Sequence, residues 1–178
     1  MISEQEIIEG CKRQDKGAQK ALFELCYPKL RNVCARYSNN SEDVEDLMHD
    51  TYIKVFDKIA TFKGNSSLTS WVCSIAVNAA LSAFRKNKKY RLVDLDSAEV
   101  AAVAENTDDT FAEEPNLNKA IDAIRQLPEG YQMVLNLYAV ENYSHKQIAE
   151  ALNISVGTSK SQLARARKKL TELIKENK

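Results

Sequence analysis

Apolar residues recur at intervals of three and four along most of the chain, the spacing that gathers them on one face of an α-helix. From residue 22 to 37 they fall at Leu22, Leu25, Cys26, Leu30, Val33, Cys34 and Tyr37. From 44 to 59 they fall at Val44, Leu47, Met48, Tyr52, Val55, Phe56 and Ile59. The pattern predicts four helices in the first 90 residues, spanning roughly 4–14, 17–37, 41–59 and 68–87. Pro28 is expected to kink or divide the second. Ser41 suits an N-cap for the third, with Glu42, Asp43 and Glu45 in the first turn, where the positive end of the helix dipole favours acids. The polar stretch 62–67, containing Gly64, reads as a loop.

A second set of four helices is predicted after residue 116. Leu117, Ala120, Ile121, Ile124 and Leu127 form one face, stopped by Pro128. Another helix spans about 130–140. Ser144 with Gln147 three residues later has the form of a capping box opening a short helix to Leu152. Asn153-Ile154-Ser155 reads as a turn, and a long helix follows from Ser155 or Val156 to about Lys175. The expected architecture is all-α. Two small helical domains, 1–90 and 116–178, are joined by an acidic flexible linker at 91–115.

Composition supports this. Only 5 Gly and 3 Pro occur in 178 residues, and 44% of positions are hydrophobic, which suits a globular helical protein. The net charge of zero conceals an asymmetry. Basic and acidic residues number 14 and 11 in 1–90, 1 and 8 in 91–115, and 10 and 6 in 116–178. Two mildly basic blocks, each suited to nucleic acid, therefore flank an acidic stretch. No apolar run is long enough to span a bilayer: the stretch from Trp71 to Leu81 is short and broken by Ser74 and Asn78. The first residues lack the basic start and apolar core of a signal peptide, so a cytoplasmic protein without membrane insertion is expected. The cysteines Cys11, Cys26, Cys34 and Cys73 form no Cys-x-x-Cys pair and read as free thiols on apolar faces. With His49 and His145 as the only histidines, no metal and no cofactor is expected.

The strongest local signal is 144–169. A capped short helix, a tight turn and a longer helix polar in its first turns match a helix-turn-helix. Ala149 would permit close helix crossing, over a shared core of Ile148, Leu152, Ile154, Val156 and Leu163. Gly157, Thr158, Lys160, Ser161 and Gln162 would face outward, toward base edges, with Arg165, Arg167, Lys168 and Lys169 suited to phosphates. In 68–90, polar positions alternate with aromatics and end in the basic run 85–89, a composition suited to single strands. Trp71, at helical spacing, reads first as a core residue. The acidic helix 43–56 carries Asp46 and Asp50 four residues apart, without a nearby nucleophile or Gly-rich loop. It reads as a solvated face or a docking face for a basic partner, not as a catalytic set.

Together these segments resemble the sigma-70 family of RNA polymerase sigma factors, extracytoplasmic-function (ECF) group. The sequence 43–56 (DVEDLMHDTYIKVF) resembles the core-binding helix of region two. The sequence 62–80 (FKGNSSLTSWVCSIAVNAA) resembles its promoter-melting segment, and 127–170 looks like region four. The resemblance implies a transcription initiation factor, not an enzyme, that binds polymerase core and directs it to promoters. Its partners would be the clamp helices of the largest subunit and the flap, double-stranded minus-35 and single-stranded minus-10 promoter DNA, and an anti-sigma factor. Core contacts would come from Asp43, Asp46, Leu47, His49, Asp50 and Phe56. Minus-10 contacts would come from Phe62, Lys63, Asn65, Ser66, Ser74, Asn78, Ser82, Arg85 and Lys86. Minus-35 contacts would come from Ser155, Thr158, Lys160, Ser161, Gln162, Ala164, Arg165 and Arg167. The chain departs from the family pattern at His49, usually Gln, at Ser159, usually a buried Val or Ile, and at Ala164, usually larger.

The competing reading is a conventional helix-turn-helix regulator with an all-helical dimerising or sensing domain. Such a protein would bind a two-fold operator and would not need the segment 62–78. A helical enzyme lacks any convergent catalytic set in this sequence.

Overall fold

A computed structural model describes residues 2–91 and 117–176. Apart from Arg91, which ends a helix, the expected linker at 91–115 lies outside the described residues. Among those residues the backbone forms eight α-helices, one 3₁₀ turn and no strand. The chain divides into two compact units, Met1–Ser82 and Ala83–Lys178.

The first unit begins with α1 (Glu4–Lys12) and α2 (Lys16–Arg36). A capping box opens α1: Glu6 N–H donates to Ser3 Oγ at 3.2 Å, and Ser3 N–H donates to Glu6 Oε2 at 2.7 Å. The Ser3 N–H and the Ser3 hydroxyl, which also donates to Glu6 Oε2 at 2.7 Å, hold the Glu6 carboxyl below its ordinary pKa. Asp15 caps α2 by accepting from Ala18 N–H at 2.8 Å. A Cβ at Gly10 would collide with that of Ala18, so only glycine lets the two helices cross this closely.

Pro28 neither divides nor ends α2. Its ring forfeits one backbone bond, but Cys26 and Leu30 on either side are fully buried and hold the helix by packing. Leu25 leaves the predicted stripe and is 45% exposed. At 3.6 residues per turn it lies about 60° outside the arc that Leu22, Cys26, Leu30, Val33 and Cys34 bury.

α3 (Ser41–Lys58) is capped by Asn40, not by the expected Ser41. Asn40 has extended backbone and its Oδ1 accepts from Asp43 N–H at 2.8 Å, which makes Ser41 the first helical residue. A 3₁₀ turn (Ile59–Thr61) and a loop lead to α4 (Leu68–Arg91). Leu22, Leu30, Val55, Leu68 and Val72 are fully buried and form the centre of this unit. All four cysteines are free and buried.

The second unit contains α5 (Leu117–Arg125), α6 (Glu129–Ala139), α7 (His145–Leu152) and α8 (Val156–Glu176). Ser144 and Gln147 form the predicted capping box of α7. Asn153 closes the helix in the left-handed conformation at φ 52°, which its short polar side chain tolerates. Val134, Leu137, Ile148 and Leu152 are fully buried, and α5, α6 and α7 all pack on α8. Val156 does not join the shared core: it is 44% exposed. The buried stripe of α8 begins one turn later, at Ser159, and continues through Leu163, Ala166 and Leu173.

Candidate functional site

Three surfaces gather the candidate residues. The first is a cavity of about 220 Å³ beside the start of α4, lined by Thr61, Phe62, Lys63, Asn65, Ser66 and Trp71. Gly64, at φ 73°, turns the loop through a conformation that side chains rarely adopt. The turn brings the Phe62 ring back over Trp71, with centroids 5.1 Å apart at 50°. Trp71 is therefore half-buried and walls the cavity instead of filling the core. Its helical spacing concealed this, because the covering ring comes from the loop. Thr61 is a second lining residue absent from the sequence expectations; its hydroxyl donates to Lys58 O at 2.7 Å.

From the cavity an exposed polar strip climbs α4 at four-residue steps. Asn78 Nδ2 donates to Ser74 O, and Ser82 Oγ donates to Asn78 O, both at 2.8 Å. Ser74 Oγ donates to Trp71 O at 2.7 Å. Arg85 and Lys86 follow, also exposed. The side chains are thus held along their own helix. Each side-chain–backbone bond is worth about 1 kcal/mol and is readily exchanged for an external partner.

The second surface is the outward side of α3. Asp43, Asp46, His49 and Asp50 are exposed, and Leu47 and Phe56 are half-buried. The Asp43 carboxylate also accepts from Asn40 Nδ2 at 2.9 Å, so part of it serves the helix start. Ile53, missed by the sequence reading, is 48% exposed among these groups. Its position three residues after Asp50, off the buried stripe, was the available signal. Behind it Tyr52 is buried and donates to Phe23 O at 3.2 Å, and burial raises its pKa.

The third surface is the start of α8. Ser155 Oγ accepts from Thr158 N–H at 2.9 Å and lies 2.9 Å from Thr158 Oγ1, so both hydroxyls serve the cap. Ser161 Oγ donates to Thr158 O at 3.1 Å. Lys160 is exposed, and Ala164 and Arg165 are half-buried. Gln162 is half-buried and turned toward Gly130 in the first turn of α6, not fully outward. Arg167 lies over the Tyr138 ring, 5.7 Å from its centroid. Tyr138 in turn stacks on His145 at 4.8 Å, and His145 Nδ1 lies 3.0 Å from Ser159 Oγ. Ser159, fully buried, thus packs against α7 through a polar bond.

Among the described residues no group of three or more His, Cys, Asp or Glu is placed to hold a metal. No described helix is long and apolar enough to cross a membrane.

Comparison with known proteins covers both units. Residues 22–90 match the family model of sigma-70 region 2, and residues 117–170 match that of sigma-70 region 4. The chain is 27% identical to the ECF RNA polymerase sigma-E factor of Haemophilus influenzae, covering 97% of this chain and 96% of that protein. It is 25% identical to the ECF RNA polymerase sigma factor SigW of Bacillus subtilis, covering 95% of each. Among solved structures, the sigma factor RpoE of Bartonella quintana, crystallised with the anti-sigma factor NepR, superposes with a TM-score of 0.50. That match has 27% identity and covers 89% of this chain and 98% of that one. The chain belongs to the sigma-70 family of RNA polymerase sigma factors, in its extracytoplasmic-function group.

Proposed function

We propose that this transcription initiation factor divides its work among the three surfaces. The outward face of α3, through Asp43, Asp46, Leu47, His49, Asp50 and Phe56 with Ile53 between them, docks on the clamp helices of polymerase. Carboxylates around an apolar centre suit a basic partner helix. The cavity under Phe62 takes a base extruded from the minus-10 non-template strand. Lys63, Asn65 and Ser66 form its polar rim, and the strip from Ser74 through Asn78 and Ser82 to Arg85 and Lys86 follows the strand. Extrusion costs a few kcal/mol, which aromatic stacking and polar contacts to the base offset. Asn78 offers both a donor and an acceptor.

The start of α8 reads the minus-35 duplex. Lys160, Ser161 and Ala164 face the groove, with Ser155, Thr158 and Gln162 shaping the helix start and Arg165 and Arg167 reaching phosphates. In this reading residues 1–90 serve core and minus-10, 116–178 serve minus-35, and 91–115 connect them. The chain works in the cytoplasm as a specificity subunit without chemistry of its own. An inhibitor of the anti-sigma class is its expected regulator, by likeness to the solved relative bound to one.

The observation that carries the reading is the aromatic-walled cavity opening onto a polar helix strip in the unit that also presents the acidic docking face. Run-off transcription with purified core on fragmented host DNA tests it. Discrete start sites that appear only with the protein are expected. No new transcripts, with no co-migration with core on a sizing column, would refute it.

A further inference from the structure

α1 lies ahead of residue 22, where the match to region 2 begins, yet it reaches the first residue of α4, one turn from the cavity wall at Trp71. The Leu68 backbone N–H, first of α4, donates to Glu4 Oε1 at 2.9 Å across 64 residues of sequence. The first four N–H groups of a helix have no partner within it. Here Ser67 Oγ accepts from Ser70 N–H at 3.2 Å, and Glu4 supplies the acceptor for Leu68. A carboxylate at this position is also favoured by the helix dipole.

The other stem of the loop is tied to the same helix, because the 3₁₀ turn Ile59–Thr61 packs on α1. α1 is itself fixed by the Ser3–Glu6 capping box and by the close crossing of Gly10 and Ala18. Ile7 and Ile8 are buried beneath it. Both ends of the six-residue loop 62–67 are therefore anchored on one helix. The cavity walls include Thr61 from one stem, Phe62 from the loop position that follows it, and Trp71 from the other stem. Their separation, and so the width of the cavity, depends on that anchor.

We propose that Glu4 is a positioning residue for base capture: its carboxylate fixes the first turn of α4 and so holds Trp71 opposite Phe62. The inference rests on the base-capture role given above for the cavity. Glu4 touches no nucleic acid in this scheme and acts through Leu68.

The test uses holoenzyme on a promoter identified by run-off transcription. Three quantities are measured: affinity for the non-template minus-10 oligonucleotide, affinity for core, and affinity for the minus-35 duplex. Glu4→Ala is expected to weaken oligonucleotide binding about fivefold, the size of a lost helix cap, and to leave the other two unchanged. Glu4→Gln, whose amide oxygen can accept the same bond, is expected to restore binding. Unchanged oligonucleotide binding in Glu4→Ala would overturn the proposal. So would an equal loss of core affinity, which would mean general loosening, or tighter binding, which would mean simple repulsion of phosphates. Phe62→Ala and Asn78→Ala run beside it. If they also leave oligonucleotide binding intact, the capture role itself fails. If they weaken it and Glu4→Ala does not, the positioning role alone fails.

Discussion

Ser159 and His145 show how one residue can change the way two helices meet. The buried hydroxyl takes its partner from α7, and His145 is in turn stacked on Tyr138 of α6. Ser159→Ala leaves the imidazole without that bond and is expected to cost about 1 kcal/mol of stability in denaturant unfolding. In a double-mutant cycle with His145→Ala, strict additivity would show that the bond is idle. The thiols give a second residue-level prediction. Burial pushes Cys26 up to about 11 and Cys34 up to about 12. The unfolded chain loses these protons near the ordinary thiol value of about 8.5, and the folded chain retains them. Stability is therefore full below that value and falls as pH rises toward the folded values. Unfolding midpoints measured from pH 8 to 11 should decline, and iodoacetamide should spare the folded protein at pH 8. A midpoint that climbs across this range would contradict the burial argument.

Among the elements, α7 depends most visibly on its ends. It has only eight residues, too few to be stable alone. Ser144→Ala removes the acceptor for Gln147 N–H and should cost about 1 kcal/mol; equal unfolding curves for the two proteins would assign the cap no role. This capping box was legible in the sequence because it is a local pattern of four residues. The helices were legible for the same reason, through their apolar spacing. What escaped involved contacts distant in sequence or shifts of a single residue. Trp71 has the spacing of a core residue, and only the return of Phe62 over its face turns it into a cavity wall. Val156 looked apolar enough for the core, but the first turn of α8 precedes its buried stripe. Asn40 and Ser41 are both good caps, and the extended backbone at Asn40 decides between them. The bond from Glu4 to Leu68 leaves no trace in any sequence window.

For the whole molecule, overall neutrality coexists with basic character where DNA is expected. The affinity of such a surface depends on the cations released from the duplex, so it falls steeply with salt. Arg165→Ala and Arg167→Ala should each reduce the slope of log affinity against log salt by about one on a minus-35 duplex, and should act alike on all sequences. Lys160→Ala, placed toward the groove, should instead change the preferred sequence. An unchanged slope for both arginine variants would remove them from the phosphate contacts.

The position of Trp71 has an optical consequence. It is the sole indole of the chain, and it sits in the wall of the cavity against Phe62. Under the proposed base capture, a nucleobase stacking beside it is expected to quench its emission. The proposed strand capture can then be timed by stopped-flow emission from this intrinsic fluorophore, without any added dye.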